Sequence, residues 1–263
     1  MTIVLRREEP SDHRAVETLT REAFWGMDSP GCTEHLLVHR LREIDAFVPE
    51  LDLVAVVDGA VVGNIVYTRA QVVGENQAWD VLTFGPLSVL PAYQGTGVGA
   101  ALMRHTLAEA ARLGHRAVVV YGHPDYYPRF GFRRASELRI TAPGGASFDA
   151  LMAHPLVGGG LNGVHGEFHE DPVFELDQAE VDAFDCTFPA KAPATMTNLD
   201  VLVGHVPEGV VEALRAHGIR DLEGVGRRSS AELAAWDGVG ASGCEAVRAF
   251  QRSRGVPWGA AQG

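Results

Sequence analysis

Lysine is all but missing from this chain: Lys191 is the single lysine beside 21 arginines. Chemistry that needs a Schiff-base or phosphate-binding lysine therefore has one candidate, and it stands in a proline-rich stretch. Cysteine is scarce too. Cys32, Cys186 and Cys244 lie far apart with no Cys-x-x-Cys pair, which argues against a disulfide framework and against a thiolate metal site. Cys186, beside Asp185, has no evident histidine partner for nucleophilic work. No apolar run reaches the roughly 18 residues of a membrane helix, and Met1 to Pro10 carries charge where a signal peptide has an apolar core. The expectation is a cytoplasmic protein with no membrane contact. Positive charge is short overall: 34 acids against 22 bases leave −12, poor support for wholesale nucleic-acid binding and compatible with a cationic small substrate.

What is present has ordinary globular proportions, 46% hydrophobic and 21% charged over 263 residues, so two domains are expected. Ile3 to Arg7 reads as a strand, and Pro10-Ser11-Asp12 as the start of a helix carrying Ala15, Leu19 and Ala23. A second helix is expected from Thr33, with Leu37, Leu41 and Ile44 on one face, running until Pro49. The apolar runs Leu53 to Val57 and Val61 to Tyr67 are joined by Asp58-Gly59, a pair suited to positive φ in a hairpin turn. Val81 to Leu90 is a further strand. It runs into Pro91-Ala92-Tyr93-Gln94-Gly95-Thr96-Gly97-Val98-Gly99 and an alanine-rich helix to about Leu113, and Ala117 to Val120 is a buried strand. Two more strands are expected near Leu138 to Ala153 and Val164 to Phe174, then a loose stretch to about Asn198.

A glycine-rich loop between a strand and a helix offers backbone N–H groups and the helix dipole to a pyrophosphate. Three cofactor classes use such a loop. A Walker loop ends in Gly-Lys-Ser/Thr, and Ala100-Ala101 stands there instead. A dinucleotide fingerprint is formally matched by Gly95, Gly97 and Ala100, but the next strand ends in Tyr121-Gly122-His123 with no acid placed for a ribose hydroxyl. Coenzyme A remains. Gln94-x-x-Gly97-x-Gly99 after the strand Gly85-Pro86-Leu87-Ser88-Val89 resembles the acyl-CoA motif of the GCN5-related N-acetyltransferases (GNAT). The β-α-α-β-β-β-α-β order from Ile3 to Val120 is that family's order, and Tyr126 to Phe132 resembles its Tyr-x-x-x-Gly-Phe segment after the fifth strand. With Phe84 to Val89 and Gly122-His123-Pro124, the chain is similar to the YhbS-like group of predicted acetyltransferases over about residues 1 to 190.

The resemblance implies an α/β (α+β) GNAT fold, a mixed, mostly antiparallel sheet with flanking helices, in residues 1–190. It implies an acetyl-CoA-dependent N-acetyltransferase in which an amine attacks the thioester directly, with no metal. Attack needs a free amine, donors for the developing oxyanion and an acid for the thiolate. Carried over, Leu87, Ser88 and Val89 lie on a bulged strand that receives the pantetheine and thioester carbonyl, and Gln94, Gly95, Thr96, Gly97, Val98, Gly99 and Ala100 cradle the pyrophosphate. Tyr127 matches the general acid, its alternative being an aromatic packed on Phe130 and Phe132. Candidates for the base are Glu34, His35 and His123, each of which could equally be solvated or structural, and ordered water could serve instead.

His35-Leu-Leu-Val-His39 has the i, i+4 spacing of zinc ligands but Leu36 where a zinc protease needs glutamate. His165, Glu167 and His169 would share a wet strand face. A linker is placed at 191–199, a small all-α domain at 200–254 and a frayed tail at 255–263. From Leu199 to Arg254 the chain resembles helix-hairpin-helix domains, and more closely the carboxy-terminal domain of the bacterial RNA polymerase alpha subunit. The residues that carry this are Val211 to Leu222, Ser229 to Leu233 and Gly238-Val239-Gly240. Eight acids and seven arginines after residue 199 leave it near neutral, so a protein partner or self-association is expected rather than DNA. The amine acceptor is a small molecule or a protein. The rival reading is a catalytically weak acyl-CoA sensor that acts through this module.

Overall fold

The computed structural model describes residues 1–26, 31–122, 124, 126–192, 199–219, 222–226 and 228–253. They fall into two compact units, residues 1–23 with 33–189, and residues 24–32 with 190–263. In chain order the elements are β1 (Val4–Arg7), α1 (His13–Phe24), α2 (Glu34–Leu41), β2 (Leu53–Val57), β3 (Ala60–Val73), β4 (Ala78–Val89), α3 (Val98–Arg112) and β5 (Ala117–Tyr121). There follow β6 (Arg133–Arg134), β7 (Ile140–Thr141), β8 (Leu151–Pro155), β9 (Gly166–His169) and α4 (Gln178–Asp185). The strands make one sheet in the order β1-β2-β3-β4-β5-β8-β6, with β9 on β3 and β7 on β9. It is mixed, antiparallel except at β4–β5 and β7–β9.

Asp58 and Gly59 take φ of +50° and +82° in the β2–β3 turn, as the hairpin demands. Strand β3 runs on past Tyr67 to Val73, longer than the apolar run suggests. Its outer half alternates buried Ala70 and Val72 with exposed Arg69 and Gln71 and pairs with Ala78 to Thr83. Helix α2 stops at Leu41 instead of continuing to Pro49. The chain turns there so that Ala46 to Val48 can bond the edge of β3, Val48 N–H to the Tyr67 carbonyl at 3.0 Å and Arg69 N–H to the Ala46 carbonyl at 2.8 Å.

Helix α3 covers one sheet face, with Val98, Leu102, Met103 and Leu107 packed on Ile65, Tyr67, Leu82, Phe84, Val118 and Val120. The other face is covered twice. Helices α1 and α2 bury Val16, Leu19, Val38 and Leu41 on Val54 and Val66, and residues 135–168 bury Ile140, Val164 and Phe168 on Val72, Val81, Ala117 and Val119.

The second unit holds α5 (Val210–Ala216), α6 (Leu222–Gly226), α7 (Ser230–Ala235) and α8 (Gly240–Ser253) around Leu202, Leu214, Leu222, Leu233 and Val247. Segment 24–32, placed by sequence in the first domain, clusters here instead. Its Trp25 Nε1 donates to the Ala192 carbonyl at 3.1 Å, and the Lys191 ammonium lies 5.0 Å from the Trp25 ring. Sequence spacing gives no sign of this return contact. Most of the expected linker and all of the expected tail lie outside the described residues. Among the described residues no helix is long and apolar enough to cross a membrane.

Candidate functional site

The parallel pair β4–β5 is held by one register match, Leu82 with Val118, and beyond it the strands part. Strand β4 is also bulged: Ile65 faces Leu87 and Tyr67 faces Phe84, so Gly85 and Pro86 together oppose Val66. Proline has no N–H to give the ladder, and a Cβ on Gly85 would come 2.3 Å from Leu41 Cδ1. The bulge therefore follows from Gly85-Pro86. It leads directly into Leu87, Ser88 and Val89. The Ser88 hydroxyl is fully buried and bonds the Thr20 hydroxyl at 2.9 Å, so its side chain is held in the core.

The loop after β4 owes its shape to glycine at two kinds of position. Gly95 and Gly97 take φ of +73° and +97°, the left-handed region that a side chain disfavours. Gly99 is needed for space: a Cβ there would stand 3.1 Å from the Tyr126 hydroxyl, 3.5 Å from Val89 and 3.9 Å from Leu87. Gln94 Nε2 donates back to the Val89 carbonyl at 3.1 Å, and the Thr96 hydroxyl to the Tyr93 carbonyl at 2.6 Å, so both side chains set the loop. Val98 is buried against the core and Ala100 packs on it. What the loop presents is backbone, with the first N–H groups of α3 lacking helical acceptors.

Tyr127 lies in the single 3-10 turn Tyr127–Phe130. Its ring stands where the strands part, 5.7 Å from Phe84 and 5.5 Å from Phe132, and a Cβ on Gly122 would come 2.2 Å from its Cε2. Of the two sequence alternatives for Tyr127, general acid and packing, the ring contact with Phe132 is the packing one. Burial pushes its hydroxyl above the ordinary tyrosine range, which keeps the proton on. Sequence reading placed Tyr126 and Arg129 in the family segment without a role; the Tyr126 hydroxyl stands 3.1 Å from where a Cβ on Gly99 would be, and the Arg129 guanidinium lies 4.6 Å over the Tyr126 ring. Arg104 on α3 joins them, 5.6 Å from the Phe130 ring and close enough to act on the Tyr126 hydroxyl. The doubled tyrosine was the available signal.

The three base candidates fare differently. Glu34 is in the first turn of α2, its carboxylate accepting the Thr33 N–H at 3.0 Å, a helix-start role. His35 is fully buried between the Phe184 and Phe188 rings, with Nε2 3.2 Å from Asp185 Oδ1. Burial, with Arg21 nearby, takes it down to about 4, so it is neutral but walled off. His123 lies outside the described residues. His39 bonds Glu17 at 2.8 Å. Among the described residues no group of three His, Cys, Asp or Glu is placed to hold a metal ion.

Residues 50–134 match the Acetyltransferase (GNAT) domain family. The chain is 37% identical over 173 residues to the uncharacterized N-acetyltransferase YhbS of Escherichia coli K12, covering 64% of this chain and 97% of that protein. It is 40% identical over 126 residues to the uncharacterized N-acetyltransferase YjhQ of the same strain, covering 48% of this chain and 65% of that one. Among solved structures, Escherichia coli YhbS in complex with CoA aligns at TM-score 0.59 and 30% identity, over 66% of this chain and 92% of the other. A GNAT family acetyltransferase from Brucella melitensis in complex with acetyl-CoA aligns at 0.53 and 28%, over 66% and 98%. With the bulged strand, the glycine loop and near-complete coverage of YhbS in agreement, this chain belongs to the GNAT family of N-acetyltransferases.

Proposed function

We propose that the first unit transfers an acetyl group from acetyl-CoA to an amine by direct attack on the thioester. The observation that carries this reading is the division of labour among the loop glycines. Gly95 and Gly97 turn the backbone, and Gly99 keeps the floor beside Leu87 and Val89 clear, so that main chain can come close to a pyrophosphate and its pantetheine arm. The N–H groups of Val98, Gly99 and Ala100 hold the pyrophosphate, with Arg104 and Arg129 supplying positive charge in an otherwise acidic chain. Leu87 to Val89 bond the arm through their backbone beyond the bulge.

In the opening between β4 and β5, the thioester carbonyl meets backbone donors as negative charge develops on it. The Tyr127 hydroxyl, kept protonated by burial, gives its proton to the leaving thiolate. Tyr126 lines the arm. The second unit serves as a docking or self-association module, as its near-neutral charge suits. Calorimetry with acetyl-CoA, followed by free-thiol release across a panel of amines, tests the reading. A folded protein that binds no acetyl-CoA refutes it.

A further inference from the structure

The stretch before residue 190 reads as loose chain in sequence, yet residues 185–189 are locked onto α1. Arg21 Nε donates to Asp185 Oδ1 at 2.6 Å and Nη2 to Oδ2 at 3.0 Å, the two bonds of an arginine fork, while Nη1 donates to the Pro189 carbonyl at 3.3 Å. Arg14 stands two turns earlier on the same face of the helix. It donates to the Thr187 hydroxyl at 3.2 Å and to the Thr187 carbonyl, and its guanidinium lies 3.5 Å over the Phe188 ring. The Arg21 side chain is 4% exposed, so water competes little for the fork, and Arg21 holds the Asp185 carboxyl below the ordinary carboxylate range. Asp185 serves α2 as well. His35 Nε2 is 3.2 Å from its Oδ1, the imidazole packed against Phe184 and Phe188.

Both helices also touch the bulged end of β4. Thr20 and Arg21 are neighbours on α1, about 100° apart around the helix, so while Arg21 turns to Asp185, Thr20 turns to the sheet. There its hydroxyl meets that of Ser88 at 2.9 Å, with both residues fully buried. Leu41, the last residue of α2, stands against Gly85. This end of β4 has the weakest ladder of the strand. Its register match with β5 is at Leu82 and Val118, and on the other edge its register with β3 shifts between Ile65 and Tyr67. A strand that is bulged and paired on one edge leaves the place of its backbone groups loosely set. The helices supply what the ladder lacks.

We infer that Arg21 and Asp185 are positioning residues for the cofactor strand: their fork seats α1, and α1 sets the place of Leu87, Ser88 and Val89 through the bond between Thr20 and Ser88. The inference deepens the transferase reading above and rests on it for the identity of the cofactor. Neither residue touches the cofactor or exchanges a proton with it. They act by holding a strand whose backbone has to meet the pantetheine arm at fixed points, so that binding does not have to order it first. A fork that served stability alone would have no need of a hydroxyl pair joining α1 to β4 one residue away. That pair gives the fork a path to the site.

The test measures acetyl-CoA affinity of the full-length chain by calorimetry, and ligand-free amide hydrogen exchange of residues 84–90 against β2 as the internal reference. Asp185→Asn and Thr20→Val should each weaken acetyl-CoA by about three- to tenfold, the worth of one hydrogen bond. Thr20→Ser, which keeps the hydroxyl, should bind like the parent. Arg21→Lys should not, since lysine cannot form the fork. In a Ser88→Ala background, Asp185→Asn should add no more than about a twofold further loss, because both changes break one path. Should Asp185→Asn fail to fold, the apolar pair Arg21→Met with Asp185→Leu replaces it and should show the same loss. Parent-like affinity in folded Asp185→Asn, in the apolar pair or in Thr20→Val overturns the inference, as do losses at Asp185 and Ser88 that multiply in full. A parent that binds no acetyl-CoA overturns the transferase reading instead. Hydrogen exchange then decides: residues 84–90 should exchange faster than the parent's, relative to β2, in Asp185→Asn and Thr20→Val, and parent-like exchange in both overturns the positioning role.

Discussion

Replacing Gly99 with alanine should move stability and cofactor affinity in opposite directions. Gly99 is the second residue of α3, and its φ is not positive, so a side chain there meets no backbone penalty. Alanine is better than glycine in a helix by about 1 kcal/mol. Against this, the new methyl sits 3.1 Å from the Tyr126 hydroxyl, a half-exposed side-chain tip that can yield by a few tenths of an ångström. The net effect on folding is therefore between zero and about 1 kcal/mol of stabilisation, or an upward Tm shift of at most about 4 °C for a domain of this size. The same methyl stands beside Leu87 and Val89, on the floor over which the cofactor arm must pass. Losing one or two backbone bonds to the pyrophosphate weakens acetyl-CoA by about ten- to a hundredfold. Gly97→Ala is the control. With φ of +97° and open space around the new Cβ, it should cost about 1–2 kcal/mol of stability together with affinity. Calorimetry and thermal unfolding on the two variants decide the matter. A folded Gly99→Ala protein that binds acetyl-CoA like the parent would refute the assignment of this loop.

Tyr127→Phe should cut turnover by about 10²- to 10⁴-fold, the usual worth of a general acid, while leaving acetyl-CoA affinity nearly unchanged; Gly122→Ala, whose methyl would overlap the Tyr127 ring, should imitate it. Equal turnover in the parent and Tyr127→Phe, with chemistry rate-limiting, returns Tyr127 to packing alone. Stability should fall as pH rises toward 8. The Glu8 carboxyl, 1% exposed beside Asp52, is held up to about 8 by burial and the second carboxyl against the pull of Arg42 at 2.7 Å. The folded state thus keeps a proton that the unfolded chain loses near 4.5, and stability present below that pH is lost progressively as pH rises toward 8. Urea unfolding should show this decline in the parent and a flatter curve for Glu8→Gln; parallel curves would refute the assignment. His35 has the opposite sign, its stability present above pH 6.5 and lost as pH falls toward 4. Proteolysis near Lys191 to Asn198 should leave an amino-terminal piece that still binds acetyl-CoA, and a helical piece that binds duplex DNA no tighter than about 10⁻⁴ M at physiological salt. A tight, salt-steep DNA complex of the latter would refute the protein-docking role.

The parts of the site that were legible in the sequence are those where local chemistry decides the backbone. Asp58-Gly59 and the left-handed Gly95 and Gly97 each demand a conformation that few other residues adopt, so they announce themselves without tertiary context, whereas the bulge came only through the family resemblance. The parts that stayed hidden depend on what the sheet brings together. Tyr121 and Phe168 are 47 positions apart in sequence, and their rings come within 5.8 Å only because β9 returns to the edge of β3. Thr20 and Ser88 give no sign in sequence of the bond that ties α1 to β4. The same holds for α2, whose periodicity through Ile44 was overridden when Ala46 to Val48 found better backbone partners on β3, and for Trp25, which packs with a segment over 160 residues away.

Direct transfer carries one further consequence, independent of knowing the acceptor. A covalent route would need a nucleophile within the gap, ready to take the acetyl group before the amine arrives. Cys32 and Cys244 are buried in the second unit. Cys186 is exposed but follows α4, on the flank where Asp185 is tied to Arg21 at 2.6 Å. The Ser88 hydroxyl, two residues past the bulge, is buried and bonded to Thr20. On the route proposed above, donor and acceptor are bound together, with the thioester between β4 and β5 beside Tyr127. Incubating the protein with acetyl-CoA alone should therefore produce no burst of free thiol, and intact-protein mass spectrometry should find no stoichiometric acetyl adduct. An adduct formed within one turnover, and discharged when an amine is added, would show that the chain itself carries the acetyl group and would rule out direct attack.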